Sequence, residues 1–96
     1  MNPTERAYAA RLERLKRAGE ISDYKFEAVK LRLARTTFYT PDFLVEWASG
    51  KVELHEVKGF WRDDARVKIK VAAEMYGMWK FVAVKKIKGG WEYEWF

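Results

Sequence analysis

The run Phe38-Tyr39-Thr40-Pro41-Asp42-Phe43-Leu44-Val45-Glu46-Trp47, the connector Ala48-Ser49-Gly50, and the run Lys51-Val52-Glu53-Leu54-His55-Glu56-Val57-Lys58 together constrain this chain more than any other stretch. Two β-rich segments joined by a short connector ending in glycine predict an antiparallel hairpin, with Gly50 at the left-handed position of a three-residue loop. In that register Trp47 pairs with Lys51, and counting back along both strands sets Asp42 across from Glu56. Directly opposed residues lie about 5 Å apart at Cβ, close enough for two carboxylates to share one cation. A four-residue loop would put Asp42 opposite Val57 instead, so the expectation depends on the turn. Residues i and i+2 of a strand share a face, so Glu56 and Lys58 project together and His55 points to the other side.

Two carboxylates and an ammonium gathered in this way suit metal-dependent phosphodiester hydrolysis. Hard oxygen ligands hold Mg²⁺ or Mn²⁺, which keep several waters, polarise a phosphoryl oxygen and acidify a bound water. The neighbouring lysine is a compact positive charge that can lower the pKa of the attacking water or stabilise charge growing on the phosphate. A Glu-x-Lys alone describes many solvated surface strands. Pro41-Asp42 at the matching position of the paired strand is what favours a site. His55, facing away, is assigned no metal role.

Pro41-Asp42 followed by Glu56-Val57-Lys58 resembles the signature of the PD-(D/E)XK nuclease superfamily. The fuller strings Tyr39-Thr40-Pro41-Asp42-Phe43 and Glu56-Val57-Lys58-Gly59 are similar to a small phage-associated branch resembling Holliday-junction-resolvase-like endonucleases. Asn2-Pro3-Thr4-Glu5 and the helix after Lys58 extend the similarity over nearly the whole chain. The resemblance implies an α/β (α+β) fold with a restriction-endonuclease-like αβββαβ core, a mixed central sheet flanked by two helices, and an extra C-terminal hairpin strand. It also implies a metal site built from Asp42, Glu56 and the main-chain carbonyl of Val57, with Lys58 catalytic.

Ninety-six residues allow one domain, spanning 1–96, and 49% hydrophobic with 17% aromatic content is ample to fill its core. Nineteen basic against fourteen acidic residues leave a formal charge of +5, which favours a polyanionic partner. The absence of cysteine excludes a disulfide framework and a thiolate zinc site and is compatible with a reducing cytoplasm, that of a host cell if the chain is phage-encoded. No run approaches the roughly 20 apolar residues of a membrane span. Neither an internal repeat nor a low-complexity linker is present.

Helical spacing predicts a first helix from about Pro3 to Ala18, with Asn2 as N-cap, Pro3 at the first helical position and Gly19 as its stop. Tyr8, Leu12 and Leu15 make its apolar stripe. Glu5 extends that stripe, and it either closes a capping box onto Asn2 or, as in several superfamily members, stands near the metals. Tyr24 to Leu33 reads as strand, but its alternation slips between Ala28 and Val29, which predicts a bulge or a break. A second helix is expected over roughly Asp63 to Tyr76. Val67, Ile69, Val71, Ala72, Met75 and Tyr76 form its apolar arc, with Arg66, Lys70 and Glu74 opposite. Lys68 falls inside that arc, either snorkelling to water or reaching toward Asp42, Glu56 and the scissile phosphate. Many relatives in the superfamily carry a glutamine and a tyrosine on this helix, whereas the residue four before Tyr76 is Ala72.

Gly59-Phe60-Trp61-Arg62 directly follows Lys58, and its aromatics either pack or stack on bases at a distorted junction. Trp61, Arg62, Arg66 and Lys68 are the candidate nucleic-acid contacts. Trp79 to Ile87, Lys88-Gly89-Gly90 and Trp91 to Phe96 predict a terminal hairpin with Trp91, Tyr93 and Trp95 on one face, serving as core cover or as a homodimer interface. The expected function is a Mg²⁺-dependent endonuclease acting on DNA, with branched or junction DNA from phage recombination, replication or packaging as the substrate. Asp42 and Glu56 would hold metal, Lys58 would assist the water, and Glu5 and Lys68 would support them. A non-specific nickase and a catalytically inactive DNA-binding module of the same fold are the alternatives.

Overall fold

The structure, a computed structural model, describes residues 1–60 and 63–96, Asp63 by its backbone alone. The elements run α1 (Pro3–Arg17), β1 (Ile21–Phe26), β2 (Leu31–Ala34), β3 (Thr37–Tyr39), β4 (Phe43–Trp47), β5 (Val52–Lys58), α2 (Asp63–Met75), β6 (Lys80–Ile87) and β7 (Gly90–Trp95). They make an α+β fold with a mixed five-stranded sheet in the order β1-β4-β5-β6-β7 and a separate two-stranded sheet of β2 and β3. Among the described residues only the β5–β6 pair is parallel, and α2 is the connection that a parallel pair requires. The expected α-β-β-β-α-β succession with an added terminal strand appears once β2 and β3 are set aside.

The central hairpin has the register read from its loop. Phe43 pairs with His55, Leu44 with Leu54, Val45 with Glu53 and Glu46 with Val52, and the Trp47 N–H donates to the Lys51 carbonyl at 2.9 Å. Gly50 takes φ +91°, the left-handed conformation that closes such a loop without a Cβ clash. Helix α1 starts where its cap demands. The Asn2 side chain accepts from the Glu5 N–H and the Glu5 carboxylate accepts from the Asn2 N–H, both at 2.8 Å, and Pro3 fills the first turn. Tyr8 and Leu12 bury fully and Leu15 packs at the edge.

The slip at Ala28–Val29 is a break rather than a bulge. β1 ends at Phe26, Glu27 takes φ +49°, and its N–H donates to the Asp42 carbonyl at 2.8 Å. Beyond the slip, Val29, Leu31 and Leu33 face the α2 side, and the chain leaves the main sheet to pair with β3.

The sheet divides the core in two. On the α1 side Tyr8, Leu12, Phe43, Val45, Val57 and Val84 pack together, and on the α2 side Leu31, Tyr39, Leu54, Ile69, Ala72 and Phe81 do. The arc expected for α2 is displaced. Ile69 and Ala72 are buried, with Ala73 and Tyr76 packed beside them, while Val67 and Met75 remain 57% and 51% exposed and Val71 is also open. An apolar residue is buried only where another layer stands, and β6, Leu54 and the β2–β3 hairpin cover one side of α2 only. In the terminal hairpin Trp91 packs edge-on against Tyr8 at 5.0 Å, so it covers the core, whereas Tyr93 and Trp95 stay open at the sheet edge. Among the described residues no helix is long and apolar enough to cross a membrane.

Two phenylalanines five positions apart should therefore differ in effect. Phe43, wholly enclosed, should cost about 3–5 kcal/mol on truncation to alanine. Phe38, on the outside of β3, should cost under about 1 kcal/mol. Urea unfolding followed by far-UV circular dichroism distinguishes the two, and similar midpoints for both variants would contradict the placement of Phe43.

Candidate active site

The last residue pair in the β4–β5 ladder is Phe43–His55, so Asp42 is the next position on one strand and Glu56 on the other. Pro41 and Phe43, both fully enclosed, pin Asp42 in place. Its carboxylate continues the pairing where the backbone ladder stops, because Oδ2 accepts the Val57 N–H at 2.8 Å. Glu56 points to the α2 side of the sheet. Its Oε1 accepts the Tyr39 hydroxyl at 2.8 Å, and its Oε2 lies 3.1 Å from Lys58 Nζ. Both carboxylates are 7% exposed, while about a third of the Lys58 side chain reaches solvent.

A cleft of about 300 Å³ opens over these groups at the C-terminal end of β5. Glu56 and Lys58 form its floor, Tyr39 and Phe38 come from the hairpin, and Asp64 and Lys68 come from the first turns of α2. Asp42 does not line it. Placing a site outside the carboxyl end of a strand, between it and the following helix, is the usual arrangement in sheets with a parallel pair.

Burial is the main cause that pushes the Asp42 carboxyl up, to about 7, and the nearby Glu56 charge adds to it. Glu5 pushes the same way more weakly, while the Val57 N–H and Lys58 oppose. Burial also raises the Tyr39 hydroxyl, followed by the Glu56 charge and the hydrogen bond to it, so Tyr39 remains a donor across the usable pH range.

Hard oxygen donors from two buried, mutually repelling carboxylates fit Mg²⁺ or Mn²⁺, which take few protein ligands and retain waters. Among the described residues none donates to Asp42 Oδ1, and that oxygen is not a buried atom left without a partner, so it reaches solvent. The donor set is sparse all the same. No cluster of three or more His, Cys, Asp or Glu suited to a metal occurs among the described residues. A cation here would rest on Asp42, Glu56, the Val57 carbonyl, water and substrate, and Lys58 would have to yield Glu56 Oε2.

Not every candidate gathers at the cleft. Glu5 forms its capping box and bears on Asp42 through its charge alone. Lys68 is exposed yet walls the same cleft as Glu56, so escape to water and approach to the site coincide. Arg66 turns the other way, forming a two-pronged pair with the Glu94 carboxylate and lying over the Phe96 ring. A phosphate contact there would compete with Glu94. Trp61 and Arg62 lie outside the described residues. His55 is buried on the α1 side, with Nδ1 at 2.7 Å from the Tyr8 hydroxyl and Nε2 at 2.8 Å from Glu53, which accounts for it as a satisfied core group.

Five cleft residues were not among the candidates: Phe38, Tyr39, Thr40, Asp64 and Ala65. Asp64 stands four positions before Lys68, a spacing that places both on one helix face and would have disclosed it. Tyr39 and Phe38 depend on where the β2–β3 hairpin folds back, and strand alternation carries no such signal. No protein-family model matches the chain, and the comparisons with curated proteins and with solved structures likewise return no match.

An aspartate raised from 3.8 to about 7 keeps its proton in the folded chain where the unfolded chain has lost it. Its contribution to stability therefore falls as pH climbs through that window and stays lowest above it. In chelator, Asp42→Asn should melt several degrees higher than the wild-type chain at pH 8 and within a degree or so of it at pH 4, roughly 4–8 °C accompanying each kcal/mol in a domain of this size. Equal melting temperatures at pH 8 would show that the carboxylate is not held there at a cost.

Proposed function

We propose that this chain is a divalent-cation-dependent endodeoxyribonuclease. The observation that carries the reading is the convergence of Asp42 and Glu56 from opposed positions of paired strands, with Lys58 Nζ 3.1 Å from Glu56 beneath an open cleft walled by Lys68. Phosphodiester hydrolysis needs charge neutralised on the phosphate more than it needs covalent chemistry. Bound by Asp42, Glu56 and the Val57 carbonyl, Mg²⁺ or Mn²⁺ would supply Lewis-acid charge at the phosphodiester and acidify water.

The chain's own groups divide the remaining work. Lys58, part exposed, offers its ammonium to the charge that grows on the phosphate in the transition state. Lys68 faces it from α2 and holds the backbone of the bound strand. Tyr39 fixes Glu56 through one oxygen, and the other, paired with Lys58, would turn to the cation once Lys58 yields it. The net charge of +5 draws a polyanion to this surface.

The substrate class follows from the resemblance of Pro41-Asp42 and Glu56-Val57-Lys58 to the PD-(D/E)XK signature. That resemblance points to branched or junction DNA of the kind produced in phage recombination, replication or packaging. A chain of this size has little surface for reading a base sequence, which favours recognition by shape. Two copies acting as a homodimer, in the cytoplasm of a host cell, would make paired nicks. One observation favours a second reading: both oxygens of Glu56 already have protein partners in Tyr39 and Lys58, as in a module that binds DNA without cutting it.

Labelled four-way junction, flap and linear duplex, incubated with Mg²⁺, with Mn²⁺ and with chelator, test these readings together. Products are expected with either cation and none with chelator, with junction cut in preference to duplex. Lys58→Ala should lower the rate about 10²–10³-fold, the usual loss for one transition-state charge partner, while binding persists. Binding in chelator without products under any condition would leave the non-catalytic module. Equal nicking of all three substrates would leave a nickase.

A further inference from the structure

The β2–β3 hairpin has two faces of opposite character. Leu31, Leu33 and Tyr39 turn inward onto the α2-side core. Arg32 and Phe38, which are Cα partners, turn outward, and Lys30 joins them with Nζ 4.6 Å from the Phe38 ring centroid. Residues 28–41 contain Lys30, Arg32 and Arg35 and no acidic side chain, so the hairpin is wholly basic. Phe38 is 42% exposed and also lines the cleft that holds Glu56, Lys58 and Lys68. An open aromatic ring with one ammonium over it and an arginine opposite it across the ladder, beside two further lysines, is the combination with which proteins hold unpaired nucleotides. Ring and base stack while ammonium and guanidinium groups track the phosphates.

We propose that Phe38 is a stacking platform for an unpaired nucleobase, with Lys30 and Arg32 on the flanking phosphates, so that the hairpin delivers single-stranded or frayed nucleic acid to the cleft. This rests on the nucleic-acid part of the function proposed above, though not on hydrolysis. In an intact duplex both faces of a base are covered by its neighbours, so a platform of this kind selects bases that have left the stack. Lys30 holds the ring through an exposed cation–π contact, which is weaker than base–aromatic stacking, and its flexible stem lets it pass from ring to phosphate when a base arrives. The hairpin is thereby a selector of structure rather than of sequence, since every base has a stacking face.

The test uses oligonucleotides in chelator, where nothing is cut. A single strand, a flap with 2-aminopurine in its unpaired arm, and a blunt duplex are titrated with the wild-type chain, Phe38→Ala and Phe38→Tyr. The wild-type chain should prefer the single strand and flap and change the 2-aminopurine emission on binding. Phe38→Ala should weaken single-strand and flap binding about tenfold, shift duplex binding less than twofold and abolish the emission change, while Phe38→Tyr retains all three properties. Phe38 is outside the core, and a thermal melt of each variant checks that it folds. Phe38→Ala binding single strands as the wild type does, or losing single strand and duplex in equal measure, would overturn the platform. Wild-type chain that binds and stacks the unpaired arm but yields no products with Mg²⁺ or Mn²⁺ would support the platform and overturn hydrolysis. Cleavage with single-strand affinity unchanged in Phe38→Ala would do the reverse. Absence of binding to all three probes would overturn the platform as well.

Discussion

The Val57 N–H donating to Asp42 Oδ2 at 2.8 Å is the contact on which the site depends. It extends the β4–β5 pairing one step beyond the backbone ladder, replacing a main-chain acceptor with a side-chain one. The bond holds the carboxyl group to a single position and strengthens when that group ionises, because charge-assisted hydrogen bonds are roughly twice as strong as neutral ones. That position fixes the geometry around it. The Asp42 carbonyl takes the Glu27 N–H, which turns the chain out of β1, and the Asp42 side chain stands beside Glu56. One residue thus terminates one strand, begins another and contributes a site carboxylate.

Holding two acids together in a core has an electrostatic consequence. Burial, then the Glu56 charge, raises the Asp42 carboxyl, and the two groups that oppose this, the Val57 N–H and Lys58, only partly compensate. Glu56 is better provided, with Tyr39 on one oxygen and Lys58 on the other. The asymmetry explains how the two acids would divide their roles: the poorly compensated Asp42 gains most from a cation, while Glu56 is oriented in advance. On the opposite side of the sheet the Tyr8–His55–Glu53 chain shows the contrasting arrangement, in which buried polar groups satisfy one another and need nothing from outside.

The β2–β3 hairpin joins the α2-side core to the candidate site. Its inner face completes the α2-side core through Leu31 and Tyr39, and Tyr39 reaches beyond that core to Glu56. Its outer face is basic and carries an open aromatic. A short excursion from the main sheet therefore supplies packing, a hydrogen bond to a site carboxylate and the rim of the cleft. The apolar stripe of Val67, Val71 and Met75 on the far side of α2 takes no part in either core.

Local chemistry determined what could be read along the chain. A glycine-ended connector fixes hairpin register, period-2 alternation sends Glu56 and Lys58 to one face and His55 to the other, and Asn2-Pro3-Thr4-Glu5 caps α1, because each depends only on bonded neighbours and on pairing across one turn. Tertiary structure decided the rest, because the answers lie with residues distant in sequence. The break after Phe26 became a separate hairpin only because α2 and Leu54 offer Leu31 and Tyr39 a place to bury. The buried side of α2 kept Ile69, Ala72 and Tyr76 of the expected arc, added Ala73 and left out Val67, Val71 and Met75, because a helix hides whichever side meets another layer, whatever the spread of its apolar residues. Tyr39 reached Glu56, and Arg66 turned from the cleft to Glu94, through contacts across 17 and 28 positions of chain, separations over which sequence spacing carries no geometric information.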